Sequence, residues 1–569
     1  MANEINYEEE RSKSTDAIVN STADKIVIVA GPGTGKTYTF IEFLKKRSGD
    51  NLALTFINNL ANDLKSRLDG LAESHTFHSF CKSLLHKLDI DGLSRDFEVY
   101  PDLDRIIRSD ACFIGKDYKA FINAFRTLEE HNGIIDFFIG RSNYYDTVSF
   151  DDYVYRVFSH FRENHDSLPS FDNIVIDEYQ DFHRLEVEFI KLLASKSKVL
   201  IVGDDDQALY ENIRKSSPDF IRELNEDSSY EKHQLPFCSR CPEVIVGAVN
   251  DVIKCSVRLG YFKNRIEKDY HCYLPDKKED SERFPQIEDV YCTVQTKEKC
   301  PYIPKYIEAE ILKIEERDFT EAKEEGYYPI LVIGPSQYLK QVQYYFDSKE
   351  GFKINYKENI KANYLLDGYR FLIKDNDSNI GWRLVIEDDN CDNMNDLIQE
   401  ITDDKRPLVE VLDQTYKDRH LRIINIIKKL FTGETLTEHD TTSLENAVEL
   451  NVDEIKEYYA IEDEDGDDNC DEDLIKLKLT TFVGAKGLSA GFVFVIGFNN
   501  GDLPRDKNSI DDLEIKEFIV ALSRTRKKCF LISNGRFGGK KTGGKSCFIN
   551  AINPPRLNKI EVNKNWRPK

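Results

Sequence analysis

Short apolar runs recur along the chain, and each gives way to a polar or glycine-containing turn and then to an amphipathic stretch. Such runs begin at Lys25, Asn51, Lys198 and Lys476. Short runs of this kind are typical of strands buried on both faces, and the amphipathic stretches are typical of helices that cover a sheet. The pattern predicts an α/β chain that binds its ligands at the carboxyl edge of parallel strands.

One of these runs, in the stretch FDNIVIDEYQDF from Phe171 to Phe182, ends in two adjacent acids. The apolar residues 174–176 predict a short buried strand, and Asp177 and Glu178 follow it directly. Two carboxylates at a sheet edge can hold Mg²⁺ and deprotonate a water. The alternative interpretation is a solvated acidic turn, and the remainder of the chain decides between the two.

A glycine-rich turn follows the apolar run that begins at Lys25. It reads AGPGTGKT from Ala30 to Thr37, and an amphipathic helix is predicted to continue through Leu44. Glycines let backbone N–H groups close around phosphate oxygens, while the Lys36 ammonium neutralises phosphate charge and the Thr37 hydroxyl binds Mg²⁺. A strand, this loop and a helix together predict a site for a nucleoside triphosphate.

Two stretches in the middle of the chain suggest no catalytic or binding motif. Residues 89–170 are helical and aromatic in pattern, and residues 360–473 are polar. The acidic run 462–473 is similar in spacing to a calcium loop, but Ile461 occupies the first ligand position, which favours a solvated linker. Phe56 and Phe77, taken without their neighbours, are more typical of core residues than of stacking platforms.

Composition and charge restrict the possible partners. The 569 residues carry a net charge of −24, which argues against general adhesion to nucleic acid, although only Glu561 is acidic among the residues from Arg524 onward. That basic segment is either a local electrostatic footprint or a solubilising tail. The N-terminus lacks the apolar core of a signal peptide and no stretch is long enough for a membrane span, so we expect a cytoplasmic protein.

Twelve cysteines are scattered without a regular framework, and in the cytoplasm we expect most of them to be free thiols. Cys238 and Cys241 form the one tight pair. A second pair at zinc-knuckle spacing is missing, so packing is favoured over a metal site.

Taken in order, eight blocks resemble the motifs of the UvrD/Rep/PcrA-like helicases of superfamily 1. They are AGPGTGKT, TFINNLA, HTFHSF, IVIDEYQDF, IVGDDDQALY, the LPFCSR block, TTFVGAKGLSAGFVFVIG and VALSRTR. The resemblance implies two RecA-like P-loop domains, each a parallel sheet flanked by helices and each with a mainly helical insertion. The implied parts are residues 1–88 and 166–232 for the first domain, 89–165 for its insertion, 233–360 and 474–569 for the second domain, and 361–473 for the second insertion with its acidic linker.

The resemblance also implies roles for residues that match the family motifs. Lys36 and Thr37 would hold phosphate and metal, Asp177 would help to hold Mg²⁺, and Glu178 would polarise the attacking water. Gln207 would sense the γ-phosphate, and Arg240 and Arg524 would be two arginine fingers supplied by the second domain. The remaining residues implied in ATP binding are Gly31, Gly33, Thr34, Gly35, Tyr38 and Gly487.

On the DNA path, the resemblance implies contacts to the backbone or the bases from Phe56, Asn58, His78 and Tyr210. The segment NGRFGGKKTGGK is similar to the one that presents a strand-separating aromatic in the family, so Phe537 is the candidate pin. A loop phenylalanine without that role is an equally good interpretation.

The chain departs from the family around the base of the nucleotide. Ser14 or Thr15 stands in place of the glutamine that reads adenine, Tyr38 replaces an arginine, and Ser239 replaces a tyrosine of the adenine sandwich. Every residue implied in phosphate handling is present. We therefore expect an intact triphosphatase with a rebuilt base pocket and weaker discrimination for ATP.

It departs on the DNA side as well. The segment YENIRK lacks an aromatic after Tyr210, Val483 and Gly484 stand where His-Ser is usual, and Ser489 stands where Glu is usual. Grip on the strand and its coupling to the nucleotide are therefore less certain expectations than nucleotide turnover.

The function implied by the resemblance is an ATP-dependent helicase or translocase that moves 3′→5′ on single-stranded and tailed duplex DNA, with ATP and Mg²⁺ as cofactors. An alternative is the motor subunit of an antiphage defence complex, with any cutting done by a separate nuclease partner. A third is a nucleotide-gated DNA-binding scaffold that turns over too slowly to move, although the presence of Glu178, Arg240 and Arg524 argues against it.

Overall fold

The computed structural model describes residues 7–56, 67–118, 121–129, 133–293, 302–356, 363–389, 394–403, 405–460 and 474–567. The chain divides into two compact units. The core unit comprises Met1–Phe80, Ser167–Lys357 and Asp473–Lys569, and the helical unit comprises Cys81–Asp166 and Glu358–Glu472. Among the residues so described, no helix has both the length and the apolar character that crossing a bilayer requires.

The first sheet of the core unit is wholly parallel. Its six strands are β1 (Lys25–Ala30), β2 (Asn51–Thr55), β3 (Glu73–Thr76), β4 (Asn173–Ile176), β5 (Lys198–Gly203) and β6 (Glu231–Leu235). Their order across the sheet is β3-β2-β4-β5-β1-β6. The helices that accompany this sheet are Tyr7–Val19, Lys36–Lys45, Phe77–Lys87, Arg184–Leu193, Glu211–Arg214 and Asp219–Glu226, with short 3₁₀ turns at Tyr179–Asp181 and Asp205–Gln207.

The second sheet is also parallel throughout. Its strands are β7 (Ile287–Cys292), β8 (Tyr328–Ile333), β9 (Phe352–Asn355), β10 (Ile475–Thr480), β11 (Ala490–Ile496), β12 (Thr525–Asn534) and β13 (Leu557–Val562). Their order is β9-β10-β8-β11-β12-β7-β13. Its helices are Glu243–Arg258, Leu274–Arg283, Tyr302–Ile311, Glu316–Glu324, Ser336–Asp347 and Asp512–Ser523, with 3₁₀ turns at Cys547–Ala551 and Pro554–Arg556.

Two small pairings flank the second sheet. Phe237–Cys238 pairs in parallel with His271–Cys272, and Arg536–Phe537 forms an antiparallel hairpin with Lys540–Lys541. The first pairing fixes the segment that leads into the helix Glu243–Arg258.

Strand β11 shows why the buried strands of this chain have continuous apolar sequences. Val493 and Val495 belong to one hydrophobic core, and Phe492 and Phe494 belong to a second one. Alternate residues of a strand point to opposite faces, so helices cover both faces of this sheet and no position of β11 faces water. The predicted α/β class with parallel sheets flanked by helices is confirmed.

The helical unit combines the two segments that were predicted as separate insertions. Its helices are Leu103–Phe113, Phe121–Thr127, Ile134–Tyr145, Phe150–Glu163, Tyr364–Lys374, Asn379–Asp389, Met394–Asp403, Leu408–Val411, Gln414–Thr432, Glu438–Val448 and Val452–Ala460. A 3₁₀ turn lies at His165–Ser167, and the short strands Glu98–Val99 and Thr147–Val148 pair in parallel. The acidic run 462–473 lies outside the described residues.

A buried charge cluster joins the two segments of the helical unit. The Asp110 carboxylate accepts hydrogen bonds from Arg383 Nε at 2.8 Å, Arg141 Nη2 at 2.7 Å and the Tyr145 hydroxyl at 2.7 Å. Burial opposes the ionisation of Asp110, but the two guanidinium groups outweigh it and lower the pKa of the carboxyl group. One carboxylate thus holds together residues more than 270 positions apart in the chain.

Replacing Asp110 with alanine should destabilise the helical unit by ~3–5 kcal/mol, because two buried guanidinium groups would lose their counter-ion. Urea unfolding followed by circular dichroism measures this loss. The exposed Asp96, changed to alanine, is the matched control and should shift the free energy of unfolding by less than ~0.5 kcal/mol. Equal effects of the two substitutions would contradict the role given to the cluster.

Candidate active site

The glycine-rich loop lies between β1 and the helix Lys36–Lys45. Gly33 has φ 72° and Gly35 has φ 85°, the left-handed region that side chains disfavour. A Cβ on Gly33 would lie 2.5 Å from Cβ of Arg240, so glycine is also needed for the close approach of that residue. The Thr34 hydroxyl donates to the Gly31 carbonyl at 2.9 Å. The loop thereby presents free N–H groups at the start of a helix, which is an anion site.

The paired acids follow β4 at the same edge of the sheet. Glu178 is a non-glycine residue with φ 54°, and its N–H donates to Asp177 Oδ1 at 2.9 Å. A left-handed conformation of this kind costs on the order of 1–3 kcal/mol and is concentrated at functional sites. The strain turns the Glu178 side chain toward the loop instead of along the strand.

Lys36 and Glu178 form the central ion pair of the site. Lys36 Nζ lies 2.7 Å from Glu178 Oε1 and 3.9 Å from Asp177 Oδ1, and Gln180 Nε2 donates to Glu178 Oε2 at 2.6 Å. Burial opposes the charge on Lys36, yet the two carboxylates raise the pKa of its ammonium group.

The two acids have opposite electrostatic environments. Burial would favour the neutral form of Glu178, but Lys36 and then Lys486 outweigh it, and its pKa lies well below the ordinary range. For Asp177, burial dominates over the attraction of Lys36 and raises the pKa to about 6. A proton taken up by the pair is therefore held by Asp177, and Glu178 stays ionised.

Lys486 is a site residue that the sequence reasoning missed. It lies between β10 and β11, and its Nζ is 2.5 Å from Asp181 Oδ2, 2.6 Å from the Gln207 carbonyl oxygen and 3.9 Å from Glu178 Oε2. Gly487 beside it has φ 82°. The signal that could have found Lys486 was its position in the VGAKGLS block, next to a glycine already assigned to the nucleotide.

Gln207 connects the ends of the two sheets. Its Nε2 donates to Asp204 Oδ2 at 2.6 Å, and its Oε1 accepts from Arg524 Nη2 at 3.0 Å. Arg524 is 2% exposed, and burial, followed by the charge of Arg240, lowers the pKa of its guanidinium group to about 10. The structure thus brings Gln207, Arg240 and Arg524 to the edge that carries Lys36 and Glu178.

Three neighbouring acids resemble a metal centre but are already neutralised. The carboxylates of Asp204, Asp205 and Asp206 lie close together, and Lys268 Nζ is 2.8 Å from each of them. An ammonium group at that position excludes a cation. The residues that fit Mg²⁺ are Thr37, in the first turn of the helix after the loop, and Asp177, because hydroxyl and carboxylate oxygens are its preferred protein ligands.

A small pocket lies beside the loop, at the residues where a rebuilt base site was predicted. Its lining includes Arg11, Ser14, Thr15, Tyr38 and Phe237. Tyr38 is 55% exposed and offers an open aromatic face. Arg11 is held in position by the Tyr273 ring, at 4.2 Å, and by Asp276, at 3.3 Å.

The candidate DNA contacts fall into three groups. Phe56 and Tyr210 lie together with ring centroids 5.3 Å apart, and His78 Nε2 is 3.8 Å from Glu186 Oε1. Phe537 is half-buried and packs on Tyr338 with ring centroids 4.0 Å apart. Asn58 lies outside the described residues.

A further cation, Arg214, joins the aromatic pair. Its guanidinium carbon lies 4.2 Å from the Phe56 ring centroid, and its Nη2 donates to Glu186 at 2.8 Å. Phe77 is instead fully buried against Phe182 and Phe189, as expected of a core residue.

Comparisons with known proteins agree with this arrangement. A family model described as an AAA domain matches residues 14–212, which carry five of the six strands of the first sheet. DNA helicase II of Haemophilus influenzae is 30% identical over 258 residues, 35% of this chain and 35% of that protein. The ATP-dependent DNA helicases PcrA of Staphylococcus epidermidis and Staphylococcus aureus are 28% identical over 286 and 285 residues, 42% of this chain and 39% of each relative.

The raised pKa of Asp177 generates a pH prediction. If this carboxylate holds a divalent metal, a proton would compete for it, so divalent-metal affinity should fall as the pH drops through about 6 and approach a ten-fold loss per pH unit below it. Electron paramagnetic resonance of Mn²⁺ in the presence of ADP, at several pH values, measures this dependence. Asp177→Asn should bind Mn²⁺ weakly at every pH, and an unchanged pH profile in that variant would contradict the assignment.

Proposed function

We propose that this chain, whose predicted resemblance to the UvrD/Rep/PcrA-like helicases is confirmed by these matches, is an ATP-driven motor that moves 3′→5′ on single-stranded DNA. The observation that carries the proposal is the contact between Arg524, at the end of the helix Asp512–Ser523, and Gln207, at the end of β5. A guanidinium group from the second sheet thereby reaches the triphosphate edge of the first.

Hydrolysis would begin with an exchange of partners at Lys36. A bound triphosphate draws the Lys36 ammonium away from Glu178, to which it is hydrogen-bonded at 2.7 Å. Loss of that cation raises the pKa of the Glu178 carboxylate and makes it a better base for the attacking water. Thr37 and Asp177 would hold Mg²⁺, which supplies neutralising charge at the phosphate oxygens.

The two arginines supply the remaining positive charge. Arg240 lies against Gly33 of the loop and Arg524 against Gln207. Charge develops on the transferred phosphoryl group, and an arginine that stabilises it contributes ~10³–10⁵ in rate. Because these arginines come from segments beyond the first sheet, the site is complete only while those segments stay close to the loop.

A physical link runs from the nucleotide edge to the aromatic pair. Lys486 donates to the Gln207 carbonyl, and its ammonium nitrogen lies 5.5 Å from the Tyr210 ring centroid. Tyr210 in turn contacts Phe56, and base stacking on such aromatics is worth roughly 1–3 kcal/mol per base regardless of sequence. A shift of Gln207 during turnover would therefore move the stacking platform.

A second candidate function is a motor that serves a separate nuclease, as in an antiphage defence complex. The segment after Tyr210 has no aromatic residue. Ile213, three positions after Tyr210, is 61% exposed and offers no ring for stacking. Weaker binding of the DNA strand favours a motor that translocates in a complex with a nuclease over a helicase that unwinds duplexes by itself.

Glu178→Gln should reduce the single-strand-stimulated ATPase rate by ~10²–10⁴ while nucleotide binding is kept, because the variant lacks the base but retains the loop. A coupled ATPase assay with and without single-stranded DNA measures this. Glu226→Gln, on an exposed position of a neighbouring helix, is the control and should behave as wild type. Wild-type turnover in the Glu178 variant would remove the proposed mechanism.

Duplexes with a 3′ or a 5′ tail test direction and unwinding in the same preparation. A 3′→5′ motor should release the strand of the 3′-tailed duplex only. DNA-stimulated hydrolysis without strand release would favour the partner-motor function, and preference for the 5′ tail would refute the proposed direction.

The open base pocket predicts weak discrimination among nucleotides. GTP should compete with ATP for hydrolysis within about ten-fold in apparent affinity, and Tyr38→Ala should weaken both by a similar factor because stacking ignores base identity. Competition assays measure both effects. Tyr344→Ala, at a tyrosine that is 83% exposed, is the matched control. A strict preference for ATP would contradict a rebuilt pocket.

A further inference from the structure

Two thiols bracket the arginine that lies against the glycine-rich loop. Cys238 and Cys241 flank Ser239 and Arg240, and both are fully buried, whereas the two residues between them are half-exposed. Any covalent change that joins the two sulfur atoms must therefore alter the short turn that carries Arg240.

The two cysteines interact directly across the turn that separates them. Cys238 Sγ accepts from the Cys241 N–H at 3.4 Å, and the Cys241 thiol also interacts with the Cys238 sulfur. The helix Glu243–Arg258 begins just after them, and the N-terminus of a helix favours a thiolate. Burial opposes ionisation of Cys238, but hydrogen bonds from the Cys241 and Tyr270 side chains and from the Cys241 and Arg240 N–H groups outweigh it. They lower the pKa of Cys238 to about 6, while burial raises the pKa of Cys241 well above its usual value.

The same thiols contact the nucleotide machinery on both sides. The Cys241 S–H donates at 3.4 Å to the carbonyl of Ser523, the residue before Arg524. On the other side, the Cys238 sulfur lies 3.1 Å from the position that a Cβ on Gly33 would occupy. One pair of cysteines thus touches the glycine-rich loop and the backbone of both candidate arginine fingers.

We propose that Cys238 and Cys241 form a reversible disulfide in the presence of a peroxide, and that this modification displaces Arg240 and switches off nucleotide turnover. The Cys238 thiolate attacks one peroxide oxygen and the O–O bond breaks. Hydroxide departs, and Cys238 becomes a sulfenic acid. Cys241 sulfur then attacks Cys238 sulfur, the S–O bond breaks and water leaves. Overall, two thiols and one hydrogen peroxide give one disulfide and two waters, and a dithiol reductant reverses the change.

The structural consequence follows from the bond itself. An S–S bond of ~2.04 Å replaces a non-bonded contact, and the proton that Cys241 donates to the Ser523 carbonyl is lost. The bond draws the two ends of the turn 239–240 together, and in this proposal Arg240 thereby loses its position against Gly33. Since the loop keeps Lys36 and its N–H groups, nucleotide binding should persist while the catalytic rate falls.

The test uses the full chain, treated with hydrogen peroxide and then quenched. Mass spectrometry should find peptides linked through Cys238 and Cys241, since trypsin cuts between them at Arg240. ATPase turnover should fall at least ten-fold with fluorescent-nucleotide affinity unchanged within about three-fold, and dithiothreitol should restore it. Cys238→Ser and Cys241→Ser should each lose the peroxide sensitivity, scored against the same variant's reduced rate, whereas Cys112→Ser, at an exposed cysteine, should keep it.

Three results would overturn the inference. They are free thiols at both positions under conditions that oxidise Cys112, a disulfide that leaves turnover unchanged, and sensitivity that survives in both serine variants. The proposed hydrolysis fails separately: if the reduced chain does not turn over ATP, that function is wrong. The disulfide map then still decides whether this modification site exists.

Discussion

The ion pair between Lys36 and Glu178 is the interaction on which the chemistry of this chain depends. The two side chains are only 11% and 14% exposed, and each charge is compensated first of all by the other, 2.7 Å away. An ammonium ion that a triphosphate would compete for is thus paired with the base that would act on it. Lys36 could exchange its ion pair with Glu178 for one with a triphosphate, and the surrounding structure determines where that exchange would happen.

The parallel sheets are what place this pair. The loop after β1 and the acids after β4 come from segments about 140 residues apart, yet parallel strands deliver their carboxyl ends to one edge. The left-handed backbone of Glu178 makes the last adjustment, and Gln180 and Lys486 hold the carboxylate once it is turned. A strained residue is tolerated because several contacts determine its position.

The features that could be predicted from the sequence are those encoded by neighbouring residues. The strand ending at Ile176 and the loop before Lys36 are each encoded in a few consecutive residues, so their class and their edge could be predicted. The position of Lys486 in the VGAKGLS block could have suggested it, but the partners of Lys486 and Lys268 come from long-range packing and could not be predicted. The joining of the two insertions around Asp110 also depends on residues far apart in the chain, and no local periodicity signals it.

The departures from the helicase motifs that the chain resembles lie where the structure can accommodate them. Tyr38, beside the small pocket at the loop, is 55% exposed, so a substitution there leaves no buried charge unpaired. Lys36, Glu178 and Lys486 instead belong to a network in which removal of one charge leaves another uncompensated. Cys238 and Cys241 differ, since they border that network without belonging to its ion pairs. A position that borders a charge cluster without pairing with it can acquire new chemistry without leaving another charge uncompensated.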